Sequence, residues 1–306
     1  MSVEGLIRGR VGVPVGERRL ADLTTWAIGG PALVAEARSE EELCALLALL
    51  SSEGVPRTVI GRGSNLLAAD AGFDGVVVRL AGELAAFGVE EDEEGFSAHA
   101  GGGAPLPSLA GVCCMRGAAG LEFAVGIPGT AGGGVFMNAG AYGGCLADLV
   151  RAVRLVSPEG RLQARDGEEM GFGYRSSWLQ EGPLAGWTVT GLELALSPGD
   201  PVRLRRRGAE LLAERRGKYP LTLPNAGSVF RRAEGAPPPG WLVERAGMKG
   251  RSVGGARVSE VHANFIVNSG GASSSDVRRL ICMVRERVRE AFGVELGREV
   301  RYLGSP

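Results

Sequence analysis

The chain has only two histidines, His99 and His262, in 306 residues. A His-rich metal site is therefore not expected, no other metal-ligand cluster is marked, and a Ser-His-Asp triad has few candidates. Five cysteines (Cys44, Cys113, Cys114, Cys145 and Cys282) are scattered, with no C-x-x-C spacing. An odd, unpatterned set reads as reduced thiols rather than a disulfide framework. Charge of one sign is missing as well. The formal net charge is −1, whereas broad nucleic-acid binding needs a basic excess. No apolar run is long enough to span a bilayer. The N-terminal MSVEGLIRGRVGVPVG has no apolar core of a signal peptide. These absences predict a cytoplasmic protein that uses neither nucleic acid nor membrane and has no obligate protein partner.

Glycine is what the chain has in excess, at 50 residues with no collagen-like period. Hydrophobic residues at 44% and charged residues at 23% describe a globular chain, long enough for two domains. The first twenty residues read as a polar lead-in, and order is expected from the strand-like run LTTWAIGGPALVAEA. Ser39 and Glu42 form a capping-box pattern before a helix to about Ser52, with Leu43, Leu46, Leu47 and Leu50 as its apolar stripe and Gly54 as its stop. RTVIG and GVVVRL read as strands around the loop RGSNLLAADAG, and the acidic run from Glu90 to Glu94 reads as a solvated turn between strands. The region 120–145 reads as glycine-rich loop. RAVRLVS, LQARD and WTVTGLELAL read as strands, with the turn FGYRSS before the last. Arg203 to Lys218 reads as a basic helix, and Ser275 to Phe292 as a long amphipathic one ending at Gly293.

Two glycine loops follow predicted strands. In Gly61-Arg62-Gly63-Ser64-Asn65 the third glycine of a dinucleotide fingerprint is missing and no helix follows, so that motif fails its own context. No Gly-Lys-Ser/Thr exists for a phosphate loop of the Walker type. The second run extends from Gly126 to Gly144 and carries no charge. Successive backbone N–H groups of such loops can still form an anion-binding nest.

IGRGSNLL, GLEFAVGIPGTAGGGVFMNAGAYG and FGYRSS, in this order, resemble the FAD domain of the vanillyl-alcohol-oxidase-type flavoproteins. Together with PNAGSVF, VSEVHANFIVN and ELGREVRYLG, they resemble one family within it, the UDP-N-acetylenolpyruvoylglucosamine reductases, across residues 20–304. The resemblance implies an α+β chain. An FAD-binding domain over 1–195, with two subdomains meeting near 82, would precede a smaller α/β substrate-binding domain over 196–296 and a tail over 297–306 that returns to the active site. It implies NADPH as hydride donor and UDP-N-acetylglucosamine enolpyruvate as substrate. Gly61, Gly63, Ser64 and Asn65 would lie on the FAD pyrophosphate side, and Gly126, Ile127, Pro128, Gly129, Thr130, Gly132 and Gly133 along flavin and phosphates. The first loop has no His for covalent attachment and Cys145 is the only nearby nucleophile, so the FAD is expected to be non-covalent.

The same resemblance assigns catalysis to Arg175, Ser228 and Glu299. By residue type alone these are, in turn, part of a structural buried Tyr-Arg pair, a turn serine without a nearby His, and a surface strand residue. In the family, Arg175 holds and neutralises a carboxylate, Ser228 gives a proton to a carbanion-like carbon, and Glu299 faces the Arg across the substrate. The family pattern usually has Pro before that Glu; here it is Arg298. Tyr174, Lys218, Asn225, Arg232 and Asn264 are candidates for substrate contact, while His262 reads as a packing or orienting residue. Ser176 to Trp187 is short and lacks Tyr, as in the subclass without a tyrosine loop. The alternative reading is a sugar or alcohol oxidase of the same flavin fold.

Overall fold

A computed structural model describes residues 2–93 and 95–305. The chain forms two compact units that are discontinuous in sequence. Met1–Gly16, Leu33–Gly61 and Gly75–Glu214 make the first; Glu17–Ala32, Arg62–Asp74 and Arg215–Pro306 make the second.

The first unit begins with an element the sequence reading left out. Val3–Arg10 is a helix, capped by the Ser2 hydroxyl, which accepts from Gly5 N at 3.2 Å. Val3, Leu6 and Ile7 fall on one face, and Ile7 is fully buried in a cluster with Leu43, Leu46 and Leu50. Those leucines belong to the helix Glu40–Ser52, whose Ser39 cap is as expected. The reciprocal bond of the capping box differs: the Glu42 carboxylate accepts from Arg38 N at 2.7 Å instead of from Ser39. Arg57–Val59 then pairs in parallel with Val76–Val78.

A six-stranded sheet fills the rest of this unit. Its path runs Leu162–Asp166, Val150–Val156, Thr188–Pro198, Gly95–Gly101, Phe87–Asp92, and Ala118–Ala119 also pairs with Thr188–Pro198. The acidic run is mostly strand: Glu90 pairs with Ser97 and Glu91 with Phe96. Glu94 lies outside the described residues. Leu106, Leu109, Ala110 and Cys113, on one face of the helix Leu106–Arg116, belong to the same core cluster as the sheet's inward residues. The glycine-rich region contains a second correction. Ala131–Met137 is a helix, started by the Thr130 cap and stopped by Asn138 at φ 40°. Three glycines in seven residues hide its period, because glycine disfavours helix by about 1 kcal/mol relative to alanine; packing supplies the difference.

The second unit is built on Trp26, which is fully buried and donates from Nε1 to Ile266 O at 2.9 Å. A three-stranded sheet (Ser252–Val253, Ala256–Val258, Ile266–Asn268) packs with the helices Pro239–Arg245 and Ser274–Phe292. Val277, Leu280, Ile281, Val284 and Val288 are buried as their period predicts. Phe292 is not; it sits exposed beside Trp241, ring centroids 5.7 Å apart. Asp70 caps this helix from a distant loop, accepting from Ser274 N at 2.7 Å and Ser275 N at 3.1 Å. Leu66–Ala68 and Arg301–Leu303 form a parallel pair. By sequence, Leu66–Ala68 reads as part of a loop, since it is three residues long and its partner is far away in sequence.

Candidate active site

Within the first unit, Gly61 packs against the second glycine run. A Cβ on Gly61 would run into the Thr130 hydroxyl and methyl. Thr130 also caps its own helix, accepting from Gly133 N at 3.2 Å. The first N–H groups of that helix are already engaged: Ala131 N donates to Ala104 O and Gly132 N to Gly102 O, both at 2.8 Å. Gly132 is therefore required for packing, because a Cβ there would press on the Gly102 backbone. The preceding turn is self-bonded, with Ile127 N donating to Ala124 O and Gly129 N to Ile127 O. Pro128 lies within that turn, and Gly126 opens it. Gly101–Gly103, where added Cβ atoms would collide with Leu84 O, Val189 O and Leu80 O, belongs to the same assembly. The sequence reading missed it, although three glycines at a strand end were a signal.

In the second unit the residues after Gly61 leave donors open. Gly63 is buried at φ 61°, and a Cβ on it would strike Leu23 O and Thr24 Cα. Among the described residues, the backbone N–H groups of Arg62, Gly63 and Ser64 have no acceptor. Unpaired N–H groups in a turn suit a phosphate, so this loop fits the cofactor that the glycine pattern implies. Asn65 is tied to the C-terminal strand. Its carbonyl accepts from Arg301 N at 3.0 Å and its Nδ2 donates to Glu299 O at 3.3 Å.

Arg175 sits at the tip of a two-residue turn in the first unit. Gly173 and Ser176 exchange backbone hydrogen bonds at 3.0 and 3.2 Å, which leaves Tyr174 and Arg175 as the corner. Arg175 has φ 55°, a region costly for a residue with a Cβ. Hydrogen bonds of Arg175 and of its turn hold it there. Its Nη2 donates to Gly140 O at 2.6 Å, Gln180 Nε2 donates to its carbonyl at 3.0 Å, and Asn138 Nδ2 donates to Gly173 O at 2.9 Å. Tyr174 is 63% exposed, with the Arg175 guanidinium 5.4 Å from its ring centre.

Ser228 and Glu299 come together in the second unit. Glu299 N donates to Val229 O at 2.8 Å, so the two residues lie on adjacent hydrogen-bonded segments. Both side chains are half-buried. Asn225 and Asn264, two candidates for substrate contact, also shape this assembly. Asn225 Nδ2 donates to Leu223 O at 2.8 Å and Pro220 O at 3.1 Å, while its Oδ1 accepts from Gly227 N at 3.0 Å. Buried Asn264 bonds the Phe230 backbone with both ends of its amide. Burial lowers the His262 pKa, and its unprotonated Nδ1 accepts from Asn264 N at 3.2 Å. Its ring packs on Tyr219 and Phe265.

Lys218 and Arg232 are exposed, as phosphate-contacting cations would need to be. Arg298, in place of the usual proline, lays its guanidinium 3.7 Å from the Tyr302 ring centre. Thr25 escaped the sequence reading. Its N–H donates to Gly63 O at 3.3 Å and its hydroxyl to Asn225 O at 2.7 Å, so it links the glycine loop to the serine loop. Burial and the hydrogen bond to Asp148 raise the Cys145 thiol pKa, which suppresses the thiolate.

A family model described as UDP-N-acetylenolpyruvoylglucosamine reductase, C-terminal domain, matches residues 219–303, and one described as FAD binding domain matches 31–164. A UDP-N-acetylenolpyruvoylglucosamine reductase from Synechococcus sp. is 43% identical, covering 98% of this chain and 93% of its own. The chain belongs to the UDP-N-acetylenolpyruvoylglucosamine reductase family. A family member from Heliobacterium modesticaldum is 46% identical over 92% of this chain and 88% of its own. The crystal structure of the family enzyme from Thermus caldophilus has a TM-score of 0.79 at 36% identity, covering 95% of this chain and 99% of the other. The fold is thus the expected one, an FAD-binding domain followed by the family's C-terminal domain, and FAD is the cofactor. The oxidase alternative is not favoured.

Proposed function

We propose that this chain reduces UDP-N-acetylglucosamine enolpyruvate to UDP-N-acetylmuramate, with NADPH as electron source and FAD bound non-covalently. The observation that carries this reading is the adjacency of the Ser228 and Glu299 segments, two motifs distant in the chain that a simple oxidase would not need. Bound FAD supplies the hydride relay from NADPH to the vinyl CH₂ carbon of the substrate. The protein's own groups do the rest. The Arg175 fork stabilises the negative charge that builds toward the substrate carboxylate, and Glu299 would donate a hydrogen bond to that carboxylate as the protonated acid. Ser228 delivers its hydroxyl proton to the adjacent ether-bearing carbon, which completes addition of one hydride and one proton across the double bond. Tyr174, Lys218 and Arg232 would contact the substrate. Gly61, Gly63, Ser64 and Asn65 would serve the cofactor pyrophosphate, and Gly126, Ile127, Pro128, Gly129, Thr130, Gly132 and Gly133 the flavin and phosphates, as the family resemblance implies. By role, residues 1–195 would serve the cofactor, 196–296 the substrate, and 297–306 would bring Glu299 back to the site.

An absorbance spectrum of the purified protein, followed by anaerobic NADPH with and without the enolpyruvyl sugar, tests this. A flavin spectrum bleached by NADPH and restored only when the sugar is added is the expected result. Restoration by oxygen alone at comparable speed would favour the oxidase reading.

A further inference from the structure

Ser228 is the proposed proton donor, yet its hydroxyl makes no hydrogen bond among the described residues. Its position must come from the backbone. On one side stands Gly227 at φ 76° with open space around its Cβ position, a permissive joint. On the other stand Val229 and Phe230, both buried. Val229 O accepts from Glu299 N. The remaining polar groups of this dipeptide all go to one residue. Val229 N donates to Asn264 O at 2.9 Å, Phe230 N to Asn264 Oδ1 at 3.0 Å, and Asn264 Nδ2 donates to Phe230 O at 2.9 Å. A primary amide imitates a peptide group, presenting one acceptor and one donor in a plane. Asn264 thus acts as a neighbouring strand compressed into a side chain. At 5% exposure, water cannot readily take its place.

We propose that Asn264 is a positioning residue for the protonation step: it sets the Val229–Phe230 backbone and, through it, the Ser228 hydroxyl, without touching substrate. This rests on the reading of Ser228 as proton donor. A small displacement of a reacting group costs on the order of 10²-fold in rate, so the amide's effect appears in the step that uses Ser228. Flavin reduction by NADPH does not use it.

The test compares Asn264→Asp, Asn264→Ala, Ser228→Ala and the Ser228→Ala/Asn264→Ala double variant as flavin-loaded enzymes, each half-reaction followed by stopped-flow absorbance. Ionised aspartate keeps the acceptor for Phe230 N but loses the donor to Phe230 O; the protonated acid restores it. Asn264→Asp should therefore reoxidise slowly with the enolpyruvyl sugar at alkaline pH, by about 10- to 100-fold, and recover relative to wild type as pH falls. Bleaching by NADPH should be unchanged. Asn264→Ala should be slow at every pH and should add nothing to Ser228→Ala, because both act on one step. Hydrogen exchange at the Phe230 amide provides a readout apart from activity and should quicken in Asn264→Ala. If Asn264→Ala does not fold, the pH series of Asn264→Asp decides. Equal slowing of both half-reactions, no recovery of Asn264→Asp at low pH, or normal reoxidation despite faster exchange would overturn the proposal. Normal reoxidation by Ser228→Ala would overturn the proton-donor reading itself, and this inference with it.

Discussion

Arg175→Lys keeps the charge but should not keep the reaction. In the structure one guanidinium nitrogen, Nη2, already holds Gly140 O at 2.6 Å. An arginine can anchor itself this way and still turn its other nitrogens toward a carboxylate, since its donors spread over a planar fork. A lysine has all its donors on one nitrogen, so anchoring and substrate binding compete. The loss is one charge-assisted hydrogen bond in the transition state, about 1.5–3 kcal/mol. At about 1.4 kcal/mol per tenfold in rate, that is roughly 10- to 150-fold. Stopped-flow reoxidation of reduced enzyme by the enolpyruvyl sugar would read it. Arg175→Gly sharpens the argument. Relief of the left-handed conformation gains about 1–3 kcal/mol, which works against the loss of the guanidinium's contacts, those with Gly140 O and the Tyr174 ring among them. This variant should unfold in urea near the wild-type midpoint while reoxidation collapses. Wild-type reoxidation in Arg175→Lys would refute the shared-fork reasoning. A large stability loss in Arg175→Gly would show that the turn is held by the guanidinium rather than strained around it.

Three further outcomes follow from the geometry. Gly63→Val should lose flavin and stability together, because the new side chain meets Leu23 O at a positive φ; the absorbance ratio of the purified variant measures the first and a urea midpoint the second. Acid precipitation should release all the flavin into the supernatant, in wild type and in Cys145→Ser alike, since the Cys145 thiol is held protonated; colour left in the wild-type pellet would contradict this. Burial lowers the His262 pKa in the folded state, so the unfolded chain binds the extra proton first and folding stability falls as pH drops below about 6.5 toward the folded value. Urea midpoints at several pH values should show that fall, and His262→Asn should flatten it.

Elements whose information is local are legible in the residue order alone. The leucine stripe behind Ser39, the apolar face from Val277 to Val288 and the strands RAVRLVS, LQARD and WTVTGLELAL are legible because period and caps lie within one window. The order of the motifs was enough to name the family, and to nominate Arg175, Ser228 and Glu299. The features that emerge only on folding are non-local. The helix Ala131–Met137 exists because Gly132 and Gly134 let it pack closely, not because its residues favour a helix. The paired strands Leu66–Ala68 and Arg301–Leu303 exist only through each other. Asn225 and Asn264 looked like ligand contacts, since an amide in a motif can serve either purpose. Only the fold shows that they also bond backbone groups of Leu223, Gly227 and Phe230. Thr25 carries no motif at all and is placed by two hydrogen bonds to chain far from it. A hydrogen bond across the chain leaves no period in either partner, so these tasks become visible only once the chain has folded.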